Sequence, residues 1–151
     1  MLMRSALAPL LAAAVLAAGP ALAVDSDGPP LSAEHAAGRK AIEARDWKGA
    51  VASLTAAAKR DARNADIQNL LGYAYRNSGE LEAAFKHYHL ALKLDPRHLG
   101  AHEYIGEAYL LANNPAKAEE HLAQLRRFCP SVCEERDDLQ KKLDQYRARG
   151  K

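Results

Sequence analysis

Cysteine is nearly missing from this chain of 151 residues, and the two that occur cannot frame a disulfide-built miniprotein. Aromatic residues make up only 6%, scarce for a β-sandwich, and nine glycines and seven prolines are too few for a low-complexity chain. Methionine does not occur after Met3, which excludes a methionine-rich copper site in the rest of the chain. An excess of one charge is missing too. Twenty-one Lys and Arg stand against nineteen Asp and Glu, a net of +2, without the basic surplus of a nucleic-acid-binding domain. There is no G-x-S-x-G elbow, no H-E-x-x-H and no glycine-rich phosphate loop after a strand. Carboxylates are plentiful, but none are paired for acid–base work, so the expectation is no enzyme and no cofactor. What remains is 48% hydrophobic and 26% charged, dominated by Ala, Leu, Glu, Lys and Arg, the preferred residues of helices.

One long apolar run occurs, at the start. Arg4 precedes an almost wholly apolar Ser5–Ala18, Gly19-Pro20 breaks it, and Ala21-Leu22-Ala23 offers a small-x-small cleavage site. These are the three parts of a secretory signal peptide, and the run falls short of the ~20 residues that span a bilayer. The expectation is a signal peptide over 1–23, cut after Ala23, with export to the periplasm or beyond and no membrane insertion afterwards. No cysteine near the cut suggests a lipid anchor. Residues 24–30, polar and ending in Pro29-Pro30, read as a flexible leader.

From Leu31 the chain repeats itself. Gly38, Gly72 and Gly106 recur every 34 residues, as do Ala50, Ala84 and Ala118, and Leu54, Tyr88 and Leu122. Leu71-Gly72-Tyr73-Ala74-Tyr75 aligns with Ile105-Gly106-Glu107-Ala108-Tyr109, and Leu94-Asp95-Pro96 with Phe128-Cys129-Pro130. Each copy has two apolar stretches at helical spacing, parted by Asp46, by Ser78-Gly79 or by Asn113-Asn114-Pro115. Asn114 suits an N-cap and Pro115 the first helical position, where no amide partner is needed. Small residues at the fixed positions let two helices approach. One such pair cannot bury its apolar face, so the copies must stack.

On these residues the chain resembles the tetratricopeptide repeat family. The second copy carries its motif at Leu71, Gly72, Tyr75, Gly79, Ala84, Tyr88, Ala91 and Pro96, and the third at Ile105, Gly106, Tyr109, Ala118, Leu122 and Pro130. The first is degenerate, with Ala41 for the usual aromatic and Ala62 for the closing proline, while Gln68 and His102 stand where the family often has Trp. The resemblance implies an all-α, right-handed solenoid of three helix-turn-helix pairs over 31–132 (31–64, 65–98 and 99–132) plus a C-terminal capping helix and tail over 133–151. Such a fold is poorly specific for function.

The closing segment is read as a helix opening on Ser131-Val132-Cys133-Glu134, which has capping-box form. Acids crowd its start and bases its end, as the helix dipole favours, and Val132, Leu139, Leu143 and Tyr146 make one apolar stripe. Cys129 and Cys133 stand four apart at the corner before it. A structural disulfide, two separate thiols, and a redox or soft-metal pair are all open readings, although neither C-x-x-C nor C-x-x-C-H is present. His98 and His102 share helical spacing, but two ligands do not make a metal site and no third falls at a matching interval.

In the family that the repeats resemble, the first helix of each pair lines a concave groove. Here that face carries His35 and Arg39, then Asn69, Tyr73, Arg76 and Asn77, then Glu103 and Glu107. The expected groove is basic at one end, amide-rich and aromatic in the middle, and acidic at the other. Asn69, Tyr73 and Arg76 suit an extended peptide, since an amide can bond its backbone and Tyr or Arg supplies contact area. Family members that grip a C-terminal carboxylate use Lys and Asn at set places. Those places hold His35, Arg39, Asn69 and Glu103 here, which argues against that activity. The function expected is an exported, non-enzymatic module that docks a protein or peptide partner. The alternatives are a small redox or metal carrier using Cys129 and Cys133, and a self-associating scaffold.

Overall fold

The computed structural model describes residues 31–150, so the signal peptide and leader read from the sequence lie outside the described residues. These residues form seven helices: α1 (Ala33–Glu43), α2 (Trp47–Arg60), α3 (Ala65–Asn77), α4 (Leu81–Leu94), α5 (Leu99–Leu111), α6 (Pro115–Phe128) and α7 (Glu134–Ala148). Among them none is long and apolar enough to cross a membrane.

Local chemistry sets the boundaries. Asp46, Asn64 and Asn114 each cap a helix, their side-chain oxygens accepting the amide protons of Gly49, Ile67 and Lys117. Pro115 opens α6 at a position that needs no amide. Between the helices of each pair the chain turns through one residue of positive φ. Those residues are Arg45 (φ 56°), Gly79 (φ 88°) and Asn113 (φ 54°), again 34 apart. The repeat is thus a repeat of backbone geometry, and only Gly79 adopts it without the steric cost that a Cβ brings.

The helices stack as a solenoid. Each packs on its partner within the pair and on the first helix of the next pair. The buried side chains recur with the same period: Leu71, Ile105 and Leu139 are fully buried, as are Leu54, Tyr88 and Leu122. A Cβ on Gly72 would lie 2.5 Å from the Tyr88 ring, so glycine is what lets α3 and α4 cross there. At Gly106 the nearest neighbour is Leu139 of α7, 2.6 Å from such a Cβ. The last helix therefore occupies the place of a fourth first helix, packed on both α5 and α6.

The start of α7 differs from the expected capping box. Its N-cap is Cys133, with no side-chain cap bond, so Ser131 does not cap and Glu134 is the first helical residue. Arg136 takes over the corner instead, donating to the carbonyls of Cys129, Pro130 and Ser131. Three carbonyls held by one guanidinium keep residues 129–131 out of the helix. The sulfurs of Cys129 and Cys133 are paired across the same corner, with Cα atoms 5.9 Å apart.

Candidate functional site

The concave face holds two adjoining cavities, both walled by α7. The first, of about 760 Å³, is lined by Tyr73, Arg76 and Asn77 of α3, by Glu103, Tyr104 and Glu107 of α5, and by Asp138, Lys142 and Tyr146 of α7. The second, of about 380 Å³, is lined by Arg39 of α1, Asp66 and Asn69 of α3, Gly100 and Glu103 of α5, and Glu134, Glu135 and Asp138 of α7. Glu103, Tyr104 and Asp138 border both. All the concave residues named from the sequence line one or other cavity except His35. That ring is buried against α3, its Nε2 lying 3.1 Å from Asp66 Oδ2 without hydrogen-bond alignment.

Arg76 is the hub of the first cavity. Its guanidinium lies over the rings of both Tyr73 and Tyr104, 5.2 and 5.4 Å from their centroids. Nη1 donates to Glu107 Oε2 at 2.5 Å and to the Tyr104 carbonyl at 3.3 Å. Both charged side chains are largely withdrawn from water, at 8% and 16% exposure, where a matched pair is needed to offset desolvation. Trp47 extends the aromatic line, edge-on to Tyr73. Burial and the neighbouring Glu103 push the Tyr104 hydroxyl up to about 12. The arrangement presents a stiff aromatic and amide surface, with the Arg76 charge already directed to Glu107.

The second cavity has a different balance. Asp66 gathers the bases around it: His35, Arg39 at 3.7 Å and His98 at 4.0 Å. The basic end expected from Arg39 is therefore largely balanced in place. On the opposite side Glu103, Glu134, Glu135 and Asp138 have no basic partner within ion-pair distance among the described residues. Glu103 is only 9% exposed. Burial first, then the charges of Glu107, Asp138 and Glu135, push its carboxyl up to about 8. Asn69, 4% exposed, keeps its Oδ1 buried without a hydrogen-bond partner.

The concave face expected from the sequence omits α7, whose carboxylates read there as dipole-favoured residues at the start of a cap. The missed signal was register: Leu139 lies 34 residues after Ile105, which puts α7 where a further first helix would stand. His98 and His102 form no shared site. His98 caps α5 through Nδ1, whereas His102 Nδ1 meets His121 Nδ1 at 2.9 Å and its Nε2 meets the Pro96 carbonyl. Gln68 and His87 make the equivalent bridge one repeat earlier, 2.8 Å apart. Among the described residues no group of three or more His, Cys, Asp or Glu could hold a metal ion.

Comparison with known proteins places this geometry. The tetratricopeptide repeat model matches residues 35–97 and 86–132. The human protein O-mannosyl-transferase TMTC3 is 29% identical over 87 residues, which cover 58% of this chain and 10% of that protein. Its Drosophila melanogaster counterpart is 26% identical over 87 residues, 58% of this chain and 9% of that one. The chain thus spans about a tenth of the length of the curated relatives it matches. Among solved structures, the Arabidopsis OM64 TPR domain superposes with a TM-score of 0.68 at 18% identity, covering 75% of this chain and 93% of that domain. The TPR2B domain of yeast Sti1, in complex with pHsp70, gives 0.67 at 23% identity, with 74% and 94% covered. The first TPR of Spaghetti (RPAP3), bound to the HSP90 peptide SRMEEVD, gives 0.67 at 19%, with 76% and 93% covered. At such identities the likeness is one of fold.

Proposed function

The chain belongs to the tetratricopeptide repeat family, and from that premise we propose that it is an exported, non-enzymatic interaction module whose concave groove receives an extended protein or peptide segment. One observation carries the reading. Two adjoining cavities run along the first helices and are lined mostly by residues on helices rather than loops. A surface that is already ordered loses little further entropy when a segment docks. The yeast Sti1 domain in complex with pHsp70 and the RPAP3 domain bound to an HSP90 peptide, which share this fold, lend support by analogy. Export rests on residues 1–23 as a signal peptide cut after Ala23.

The test is site-specific photo-crosslinking in cells that make the chain. A crosslinker at the exposed, cavity-lining Asn77 should yield an adduct with a protein partner, and one at the exposed Lys93 of α4 should not. Adducts from Lys93 alone would move the binding surface off the groove, and adducts with a second copy would make the module a self-assembling scaffold. N-terminal sequencing of the same material should begin at Val24. A chain retaining Met1 would overturn the export part.

A further inference from the structure

The second cavity has an acceptor surplus that the fold does not need. Its wall from α7 contributes Glu134, Glu135 and Asp138, and α5 adds Glu103. The nearby bases Arg39 and His98 are turned to Asp66 on the other side. At the floor, the Glu103 carboxyl is only 9% exposed and has no ion-pair partner among the described residues, and leaving such an acceptor unmet costs about 1–3 kcal/mol. An unmet acceptor under a rim of unpaired carboxylates describes the complement of one chemical group. It must carry several N–H donors and a positive charge.

We infer that the second cavity seats the lysine or arginine side chain of an extended segment, its N–H groups met by the carboxylates of Glu103, Glu135 and Asp138. The inference rests on the groove reading above and narrows it to a basic partner. An acidic tail fits poorly, because it would bring like charge against Glu134, Glu135 and Asp138.

Glu103 gives the site a proton linkage. Free, its carboxyl is held up at about 8 by burial and by Glu107, Asp138 and Glu135. A cation beside it favours the ionised form, so seating the basic side chain expels a proton below that pH. Binding therefore strengthens as pH rises toward about 8. The charged groups facing Glu103 elsewhere are Arg76 and Asp66 of α3, Arg39 of α1, and His98 at the head of α5. Lys142 of α7 lies further along the first cavity. Substituting Glu103 itself isolates its contribution.

The experiment is selection of random linear peptides, displayed on phage, against the chain from Val24 onward, followed by fluorescence anisotropy on a synthesised winner. The winners should be enriched in Lys or Arg and should label a crosslinker at Asn77. Replacing the key lysine with norleucine should weaken binding about tenfold or more, as for a lost charged hydrogen bond. Asp138→Asn, on an exposed position, should do the same, and Glu103→Gln should also flatten the pH profile between 6 and 8. Winners that label Asn77 but are acidic or uncharged would leave the groove reading standing and overturn the basic partner. Selection that yields no peptide labelling Asn77 would overturn both. Circular dichroism of each variant separates lost binding from lost fold.

Discussion

Arg76 looks like a ligand anchor on a helical wheel, yet its charge is spent inside the groove wall. The wheel places it on the concave face; it cannot show that Glu107, on the next repeat, reaches it at 2.5 Å. Contacts between repeats depend on the stagger of neighbouring helices, which a one-dimensional pattern does not encode. The consequence is energetic. Arg76→Met leaves a largely buried carboxylate unpaired and should cost about 3 kcal/mol or more, whereas Arg76→Met with Glu107→Leu should cost less than the single change. Urea denaturation of Arg76→Met, Glu107→Leu and the double variant checks this, and a double variant at the sum of its parts would show that the pair is not coupled. The ionisable interior also gives a pH dependence of known sign. The His121 ring is pushed down to about 4, from 6.5, by burial and by His102 and His89. Between those pH values the unfolded chain takes up a proton that the folded chain refuses, so stability falls as pH drops through that window. Glu103 acts in the opposite sense. Its pKa rises from 4.5 to about 8 on folding, so its contribution falls as pH rises between those values. Glu103→Gln should therefore match the wild-type urea midpoint near pH 4.5 and exceed it at pH 8. Equal midpoints at pH 8 would mean that Glu103 ionises freely in the folded chain.

The helix pair is the element that the sequence made most legible, because its markers are local. Glycine at the crossing, alanine at the contact and an Asn-Pro start each act within a few residues. Their 34-residue recurrence carried the pairing of all six helices. The capping of α7 failed for the opposite reason: Ser131 and Glu134 had the right spacing, but Arg136, further along, gathered the carbonyls of the corner. The inter-helix turns show the same element at finer grain. Arg45, Gly79 and Asn113 fill one left-handed position with three residue types. Gly79→Ala should lower stability by about 1 kcal/mol, since a Cβ there meets the left-handed penalty in otherwise open space. Thermal unfolding measures it, and an unchanged midpoint would indicate that the turn relaxes.

Across the described residues the core is a column rather than a ball. Three buried clusters follow one another: the first around Leu54 and Leu71, the next around Tyr88 and Ile105, the last around Leu122 and Leu139. Stability in such a stack is a sum of units and the interfaces between them. The unit at the Leu31 end has α1 packed only on α2 and α3, whereas α5 is held by α3, α4, α6 and α7. Amide protons of α1 should then exchange with solvent well before those of α5, in a native-state hydrogen-exchange experiment. Uniform exchange along the chain would mean that the column unfolds as one block.

The recurrence of caps and turns has a consequence for how this architecture can change length. His98 caps α5 as Asn64 caps α3, so a tandem copy of residues 65–98 would splice in with a working helix start on either side. Duplication of a 34-codon stretch thus yields a folded, longer groove in a single genetic event. An insertion within a helix that is not a whole number of repeats would throw the downstream helices out of phase with the groove. Evolution, or an engineer, can count in whole repeats here and in nothing smaller.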